Sequence, residues 1–279
     1  MTKQIMQRKI INSIHKDSYR KHLSIQFNLD GFSFCISNLA SKELHHFESY
    51  TFEQTVATPE LLLEKIEQIV SENSLFNQEF ETITVVHQNT LSTLVPSALF
   101  NEKQLNSYLD YSIKTLATDY IAYDSLAHAE VKNVYVPYVN LNNFFFQKFG
   151  EFEYKHHATV LIDKLLLHSK NNTNKQFFVN VSKHHLDIVV LEKGALLFYN
   201  SFQFTTKEDF IYYLLFTSEQ LDLNPEEFLC YFIGDIKTDS ELYAITYQYI
   251  RNVDFIALEN PFFDFETEIN NHSYYTTTP

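Results

Sequence analysis

The residues of this chain that most invite a chemical function are its twelve histidines, which include three adjacent pairs: His45-His46, His156-His157 and His184-His185. A zinc or iron site needs several side chains that converge on one point. Neighbouring residues of a strand point to opposite faces of a sheet, so such a pair cannot chelate one ion. The sequence contains no H-E-x-x-H motif and no histidines at i and i+4. We therefore predict turn and surface histidines, and we assign no metal-binding residue.

The sequence contains no pattern that indicates catalysis by a serine nucleophile or by paired carboxylates. There is no G-x-S-x-G elbow, and serine, histidine and aspartate are scattered along the chain. The 35 Asp and Glu residues do not single out an acid/base pair by their spacing. We expect most of them on a solvated surface, and we assign no catalytic residue.

Glycine is scarce, which restricts nucleotide binding. The chain has four glycines, whereas an average usage near 7% would give about twenty. Phosphate-binding loops use glycine because the backbone must approach the anion closely, often at positive φ. Neither G-x-G-x-x-G nor G-x-x-x-x-G-K-[ST] occurs. The usual dinucleotide and P-loop sites are thereby excluded, and we assign no cofactor and no cofactor-binding residue.

Composition indicates a globular protein with a substantial core. The chain of 279 residues is long enough for two domains, and with 45% hydrophobic and 16% aromatic residues it can bury a substantial core. The net charge of −14 argues against general nucleic-acid binding. The best apolar run, 210–216, is far shorter than the roughly 20 residues of a membrane-spanning helix, so we predict no transmembrane segment. The N-terminus has no long apolar region followed by a small-residue cleavage site, so we predict no secretory signal. Cys35 and Cys230 are predicted to be buried free thiols in a reducing cytoplasm.

The segment 1–21 departs from this acidic balance. It carries six basic residues against Asp17 alone: Lys3, Arg8, Lys9, Lys16, Arg20 and Lys21. Interleaved isoleucines would let it contact a membrane surface or an acidic partner. The alternative is a loose terminus, or one that folds back on the chain's own acidic body. We favour this alternative because termini are often loose whatever their composition.

The elements that must position any site occur in the same order twice. Apolar alternation predicts three strands, a helix and a closing strand in each copy. The copies comprise 23–38, 46–52, 58–72 and 78–86, and then 177–192, 198–204, 206–221 and 226–234. Asp30-Gly31 predicts a tight turn within the first copy. The repeated order predicts an α/β fold of two duplicated βββαβ-type lobes with inserted segments.

The region between the copies supplies further elements. We predict strands near 90–95, 119–127, 131–137 and 152–157, and helices at 102–116, 139–149 and 158–170. Helical spacing of Phe145 and Phe149 favours core packing over an exposed docking patch. The polar segment 170–175 reads as a linker. The predicted organisation is a basic arm 1–21, a first lobe 22–170, a second lobe 176–260 and a loosely held tail 261–279.

This pattern resembles the actin-like ATPase (ribonuclease H-like) fold of actin, heat-shock chaperones and sugar kinases. The whole chain also resembles an uncharacterised bacterial family, a domain of unknown function to which that fold has been attributed. The resemblance implies a nucleotide cleft between the halves. It also implies an Asp-x-Gly phosphate loop in the first hairpin of each half, and a late glycine pair beside the adenosine.

The sequence departs from that pattern at each position. The second-half loop falls on 180–185, where Asn180 replaces the metal-side aspartate and Ser182, Lys183 and His184 replace glycines. Asp187 could match a later acid, but an outward-facing polar residue is expected there from strand alternation. The first-half loop falls on Gln26-Phe27-Asn28, and Asp30-Gly31 lies later, where the turn explains it. At the adenosine position, Ile233-Gly234-Asp235 keeps one glycine.

A bound Mg-nucleotide needs carboxylates for the water shell of the metal and bare amides for the phosphates. The departures therefore predict a degenerate nucleotide-binding site. We predict a non-catalytic, cytoplasmic protein-binding module with an unknown protein partner and no cofactor. The alternatives are an ATP-binding enzyme or switch with an atypical phosphate site, and a membrane-associated scaffold that uses the basic arm as its contact.

Overall fold

A computed structural model describes residues 6–12, 20–111, 113–116, 118–256 and 272–279. The strands in this part of the chain are β1 Met6–Asn12, β2 Lys21–Asn28, β3 Gly31–Asn38, β4 Leu44–Phe52, β5 Thr82–His87, β6 Ser92–Pro96, β7 Ala122–Ser125, β8 Val131–Tyr135, β9 Glu153–His156, β10 Gln176–Val181, β11 His185–Glu192, β12 Ala195–Gln203, β13 Leu229–Gly234 and β14 Asn252–Phe255. The helices are α1 Pro59–Glu72, α2 Leu105–Leu109, α3 Val139–Phe149, α4 His157–His168, α5 Lys207–Gln220 and α6 Glu241–Tyr249. None of these helices has the length and apolar content to span a bilayer.

The chain divides into two compact units. Unit 1 comprises Met1–Leu126, Glu130–Leu161 and Thr276–Pro279, and unit 2 comprises Ala127–Ala129 and Ile162–Tyr275. The main boundary therefore falls within α4, whereas the sequence suggested the linker at 170–175. The last residues of the chain belong to unit 1, which no local pattern indicates.

Unit 1 is built on a six-stranded sheet in the order β1-β4-β3-β2-β5-β9. Its core cluster joins one face of β2 and β3 to α1 and α3, where Ile66 and Phe145 have no exposed surface. Phe145 thus packs in the core as predicted, and Phe146 is 63% exposed. A separate three-stranded sheet, β6-β8-β7, packs on Leu109 of α2.

Unit 2 is built on a five-stranded sheet in the order β12-β11-β10-β13-β14. One face of β10 and β11 packs on α5 through Phe210 and Leu214, which are fully buried. Helix α5 begins with a capping box, in which Thr206 and Asp209 satisfy each other's main-chain amides. This local signal explains why the helix starts where the sequence predicts.

The two units share strand pairing as well as strand order. Strands β2 and β3 form an antiparallel hairpin in unit 1, as β10 and β11 do in unit 2, and the first strand of each hairpin pairs in parallel with the strand after the helix, β5 or β13. Gln26 faces Ser33 across the first hairpin, and Asn180 faces Asp187 across the second. This is the residue-level correspondence that the alternation of the sequence predicts.

Three predictions about local structure are wrong. Residues 6–12 form strand β1 on the edge of the unit 1 sheet rather than an arm or a short helix. The rest of the predicted arm, 1–5 and 13–19, lies outside the described residues. The helix predicted at 102–116 is reduced to the five residues of α2, after a short 3-10 turn. Residues 272–279 are not loosely held, since Thr277 and Thr278 are 1% and 2% exposed; residues 261–271 lie outside the described part.

Candidate functional site

The hairpin between β10 and β11 occupies the place that the resemblance gives to the second phosphate loop. The main-chain amide of Ser182 donates to the carbonyl oxygen of His185 at 2.8 Å. The side chains of Lys183 and His184 are exposed at the tip of the turn. A phosphate-binding loop directs its amides at the anion. Here the amide of Ser182 is engaged in closing the turn.

A buried polar cluster lies beside this hairpin, with one residue on each of three adjacent strands. The amide nitrogen of Asn180 donates to Asp187 Oδ2 at 2.9 Å, and the hydroxyl of Tyr199 donates to Asp187 Oδ1 at 3.2 Å. Asp187 is 4% exposed, so the prediction of an outward-facing residue is wrong. The reason is that this face of the sheet is covered too: Phe178 and Val189 on the same face are fully buried.

Gly234, the one glycine kept at the adenosine position, is required by the sheet itself. Its φ is +86°, and an added Cβ would lie 2.2 Å from the carbonyl oxygen of Val181. The adjacent amide of Asp235 donates to the same oxygen at 2.7 Å. Glycine meets both requirements because it has no side chain. The close approach of β13 to β10 therefore explains this residue.

The hairpin between β2 and β3 is the tight turn that the sequence predicts. Asn28 Oδ1 accepts from the amide of Asp30 at 2.8 Å, which is an Asx turn. Asp30 Oδ1 in turn accepts from the hydroxyl of Thr55 at 2.5 Å. A Cβ on Gly31 would lie 2.6 Å from the carbonyl oxygen of Tyr50. The turn and the neighbouring strand thus account for the Asp-Gly pair.

Gln26 lies at the position that Asn180 holds in unit 2, within a network of amides and hydroxyls. Its nitrogen donates to Gln88 Oε1 at 2.8 Å. Its oxygen accepts from the hydroxyls of Thr276 at 2.6 Å and Thr277 at 3.1 Å. Sequence reasoning missed these threonines because they lie 250 residues from Gln26 along the chain.

Both hairpins are therefore surrounded by groups that form hydrogen bonds within the protein. In the described residues, no three His, Cys, Asp or Glu side chains converge on a point where they could hold a metal ion. Apart from the carboxylate of Asp187, which Asn180 and Tyr199 already engage, the groups around Asn180 and Gln26 are amides and hydroxyls, which bind peptide groups and hydroxyls well but supply no negative charge for the water shell of a magnesium ion.

The histidine pairs are less exposed than the sequence predicts. His156 and His157 are 0% and 3% exposed, and His45 is 9% exposed. The Nε2 atom of His156 lies 3.0 Å from the carbonyl oxygen of Asn89, and its Nδ1 atom lies 3.1 Å from the amide nitrogen of Asn133. The prediction of surface histidines is wrong for these residues, because each lies within an element packed into unit 1: His45 on β4, His156 at the end of β9 and His157 at the start of α4.

Asp124 is half-buried, and it organises a cluster of buried side chains that sequence reasoning missed. Its carboxylate accepts from the amide of His156 and the hydroxyl of Thr159, both at 2.8 Å, and from the hydroxyl of Tyr135 at 3.1 Å. Burial raises the pKa of Asp124, although these three hydrogen bonds oppose the rise. Asp124 binds the last residue of β9 and the first turn of α4 from 32 and 35 residues away, so no local motif identifies it.

Glu48 is a buried acid that sequence reasoning also missed. It is 1% exposed, and it accepts from Arg8 of β1 at 3.0 Å, from Tyr50 at 2.5 Å and from Asn73 at 2.9 Å. Burial by itself raises the pKa of Glu48, but hydrogen bonds from His46, Arg8 and Tyr50 outweigh it and lower the pKa to about 2. A signal was available: Glu48 shares the inward parity of its strand with core aromatic residues.

Several solved structures have an architecture similar to that of this chain. A Bacteroides thetaiotaomicron protein with an actin-like ATPase fold and unknown function is 24% identical, with a TM-score of 0.75 over 86% of this chain and 91% of that one. PilM in the PilM-PilN type IV pilus biogenesis complex gives 11% identity and a TM-score of 0.54, over 85% and 88% of the two chains. The ethanolamine utilization protein EutJ from Carboxydothermus hydrogenoformans gives 8% and 0.50, over 96% and 90%.

These likenesses show an actin-like ATPase fold, and at such identities they show the fold alone. No curated protein matches the chain. The model of one protein family matches residues 12–253, which is well over half of the sequence. The chain therefore belongs to the family described as "Protein of unknown function (DUF3822)".

Proposed function

We propose that this chain is a non-catalytic protein-binding module built on an actin-like fold with a degenerate nucleotide site. One observation carries the proposal: the polar side chains at both phosphate-loop positions are bonded to the protein's own groups. Asn180 is held by Asp187, and Gln26 is held by Thr276 and Thr277. Nucleotide would have to displace these bonds, including those that engage Asp187, and bring a metal to positions where Asn180 and Gln26 stand instead of acids.

A candidate surface for the partner is the outer face of α5, defined by Glu208, Tyr212, Phe216 and Glu219. These four residues recur at helical spacing on the side opposite the buried face of the helix. The rings of Tyr212 and Phe216 stack with centroids 5.7 Å apart, yet they are 57% and 42% exposed. Exposed, ordered aromatic pairs supply large contact area at low entropic cost, as in protein interfaces.

The charge around this face indicates the kind of partner. Between residues 207 and 254 the sequence has ten Asp and Glu side chains against three basic ones. Of these three, Lys207 lies 3.7 Å from Glu241 and Arg251 lies 3.5 Å from Glu226. Glu208 and Glu219 share this face with the two rings, so it suits a partner that presents arginine or lysine, which can pair with the acids and stack on the rings.

The fold itself is compatible with such a role, because PilM, which is similar to this chain only in fold, is found in a complex with PilN. We place the protein in the cytoplasm. The thiols of Cys35 and Cys230 are fully buried and form no disulfide, which supports this compartment, since a reducing environment keeps cysteines in the thiol form.

The loss of nucleotide binding is tested by thermal unfolding with and without Mg-ATP, with magnesium chloride alone as the control. We expect the same melting temperature in both. Saturation at one hundred times Kd would stabilise the protein by about 2.7 kcal/mol and raise its melting temperature by several degrees. Such a rise would contradict the proposal and favour an ATP-binding switch.

The partner surface is tested by affinity capture from the native cell with three forms of the protein. They are the wild type, the double variant Tyr212→Ser with Phe216→Ser, and Leu99→Ser, which changes a 72% exposed residue of unit 1. A partner bound by the wild type and by the Leu99 variant, but lost from the double variant, is the expected result. Equal capture by all three would remove the α5 outer face from the proposal.

The scaffold alternative is tested separately with anionic vesicles. Arg8 of β1 is already paired with the buried Glu48, so we expect the intact protein not to cosediment with them. Cosedimentation that is abolished by high salt would favour the scaffold over the proposal.

A further inference from the structure

The C-terminal residues lie on a specific part of unit 1, the face of β2 and β3 that is opposite the α1 side. Thr277 is 1% exposed, and its side-chain oxygen lies 3.2 Å from that of Ser33. Its carbonyl oxygen accepts from the thiol of Cys35 at 3.2 Å. Both partners are buried, at 6% and 0% exposure. Unit 1 therefore contacts both the side chain and the main chain of Thr277, through Ser33 and Cys35.

Gln26 is the centre of this contact, and its orientation is fixed. The oxygen of Gln88 accepts from the amide nitrogens of Gln26 at 2.8 Å and Asn28 at 3.1 Å. The oxygen of Gln26 is thereby turned to the threonines, and it accepts from the hydroxyls of Thr276 and Thr277. An amide oxygen with two acceptor directions matches two hydroxyl donors from consecutive residues.

This chemistry discriminates between ligands. Valine has the shape of threonine without its hydroxyl, so it would leave the half-buried oxygen of Gln26 without these donors. A phosphorylated threonine has lost the hydroxyl donor and carries negative charge, which the neutral amide of Gln26 does not compensate. The groups present suit a peptide that carries two consecutive unmodified hydroxyl residues.

We propose that Gln26, Ser33 and Cys35 form a peptide-binding site for a paired-threonine segment, and that residues 276–278 of the same chain occupy it as an exchangeable ligand. The site is separate from the α5 outer face, and the proposal does not depend on the proposed function. A free peptide with the same two hydroxyls binds once the resident segment has been removed, and the resident segment excludes it otherwise.

The first experiment uses the full chain and the thiol of Cys35 as the reporter. The double variant Thr276→Val with Thr277→Val should react with a maleimide at Cys35 at least ten times faster than the wild type. Cys230, which is fully buried in the core of unit 2, is the internal control and should react slowly in both. Equal rates at Cys35 in the two proteins would overturn the proposal.

The second experiment tests exchange. A fluorescent peptide of residues 272–279 is titrated against a chain that ends at Tyr275 and whose far-ultraviolet circular dichroism matches the wild type. The peptide should bind this chain, slow maleimide reaction at Cys35 and fail to bind the full chain. The peptide with both threonines replaced by valine should bind at least tenfold more weakly. Equal binding of the two peptides, or none of either, would overturn the proposal.

Discussion

The buried carboxylate of Glu48 makes the stability of unit 1 depend on acid in a way that the substitution Glu48→Gln should remove. The folded protein lowers the pKa of Glu48 from 4.5 to about 2. At about 1.36 kcal/mol per unit, this shift corresponds to about 3 kcal/mol of stability at neutral pH. The side chain of Arg8 is 48% exposed, so solvent screens its share, and we expect about 2 kcal/mol.

The direction of the pH dependence follows from the lowered pKa. The unfolded chain takes up a proton on Glu48 as pH falls through 4.5, whereas the folded protein resists until about pH 2. The contribution is therefore complete above the unfolded pKa and is lost as pH falls toward the folded pKa. By pH 3 more than half of it should be gone.

The assay is urea unfolding of the wild type and of Glu48→Gln at pH 7, 5, 4 and 3, followed by circular dichroism. We expect the variant to be about 2 kcal/mol less stable at pH 7 and less than about 1 kcal/mol less stable at pH 3. Glu67→Gln, at an exposed position of α1, is the matched control and should show no such convergence. If the stability difference for Glu48→Gln were the same at pH 7 and pH 3, the ion-pair account of this cluster would be refuted.

Two further predictions concern residues whose roles the structure explains. Gly234→Ala should be at least about 2 kcal/mol more destabilising than Gly150→Ala in urea unfolding. Both glycines have positive φ, but of the two only Gly234 would bring the new Cβ against a carbonyl oxygen. Equal losses of unfolding free energy in the two variants would contradict this explanation. His87 donates from Nε2 to Asn142 Oδ1 at 2.8 Å and accepts the amide of Tyr138 at Nδ1, while burial lowers its pKa to about 4. Its ring resonances should therefore stay constant from pH 7.5 to 5.5 in a nuclear magnetic resonance titration, and a midpoint in that range would count against a buried neutral ring.

Much of the architecture could be predicted from the sequence because its causes are local. Alternation of apolar residues determines each strand of the two hairpins, and the Asp30-Gly31 turn is specified by residues that adjoin it. The capping residues Thr58 and Thr206 begin α1 and α5 at the predicted positions. The structure of the region 102–116 was harder to predict, because its helical pattern competes with packing against a small three-stranded sheet that only the folded chain forms.

The sequence by itself determined the order of the strands and helices, the correspondence of the two βββαβ segments and the scarcity of phosphate-binding motifs. Only the tertiary structure decided the environment of the polar side chains, because that depends on what covers each face of a sheet. Asp187 is buried because its face of the sheet is covered, Asp124 meets Thr159 of α4 from 35 residues away, and Ser33 meets Thr277 from 244 residues away. Local alternation cannot encode contacts between segments that distant.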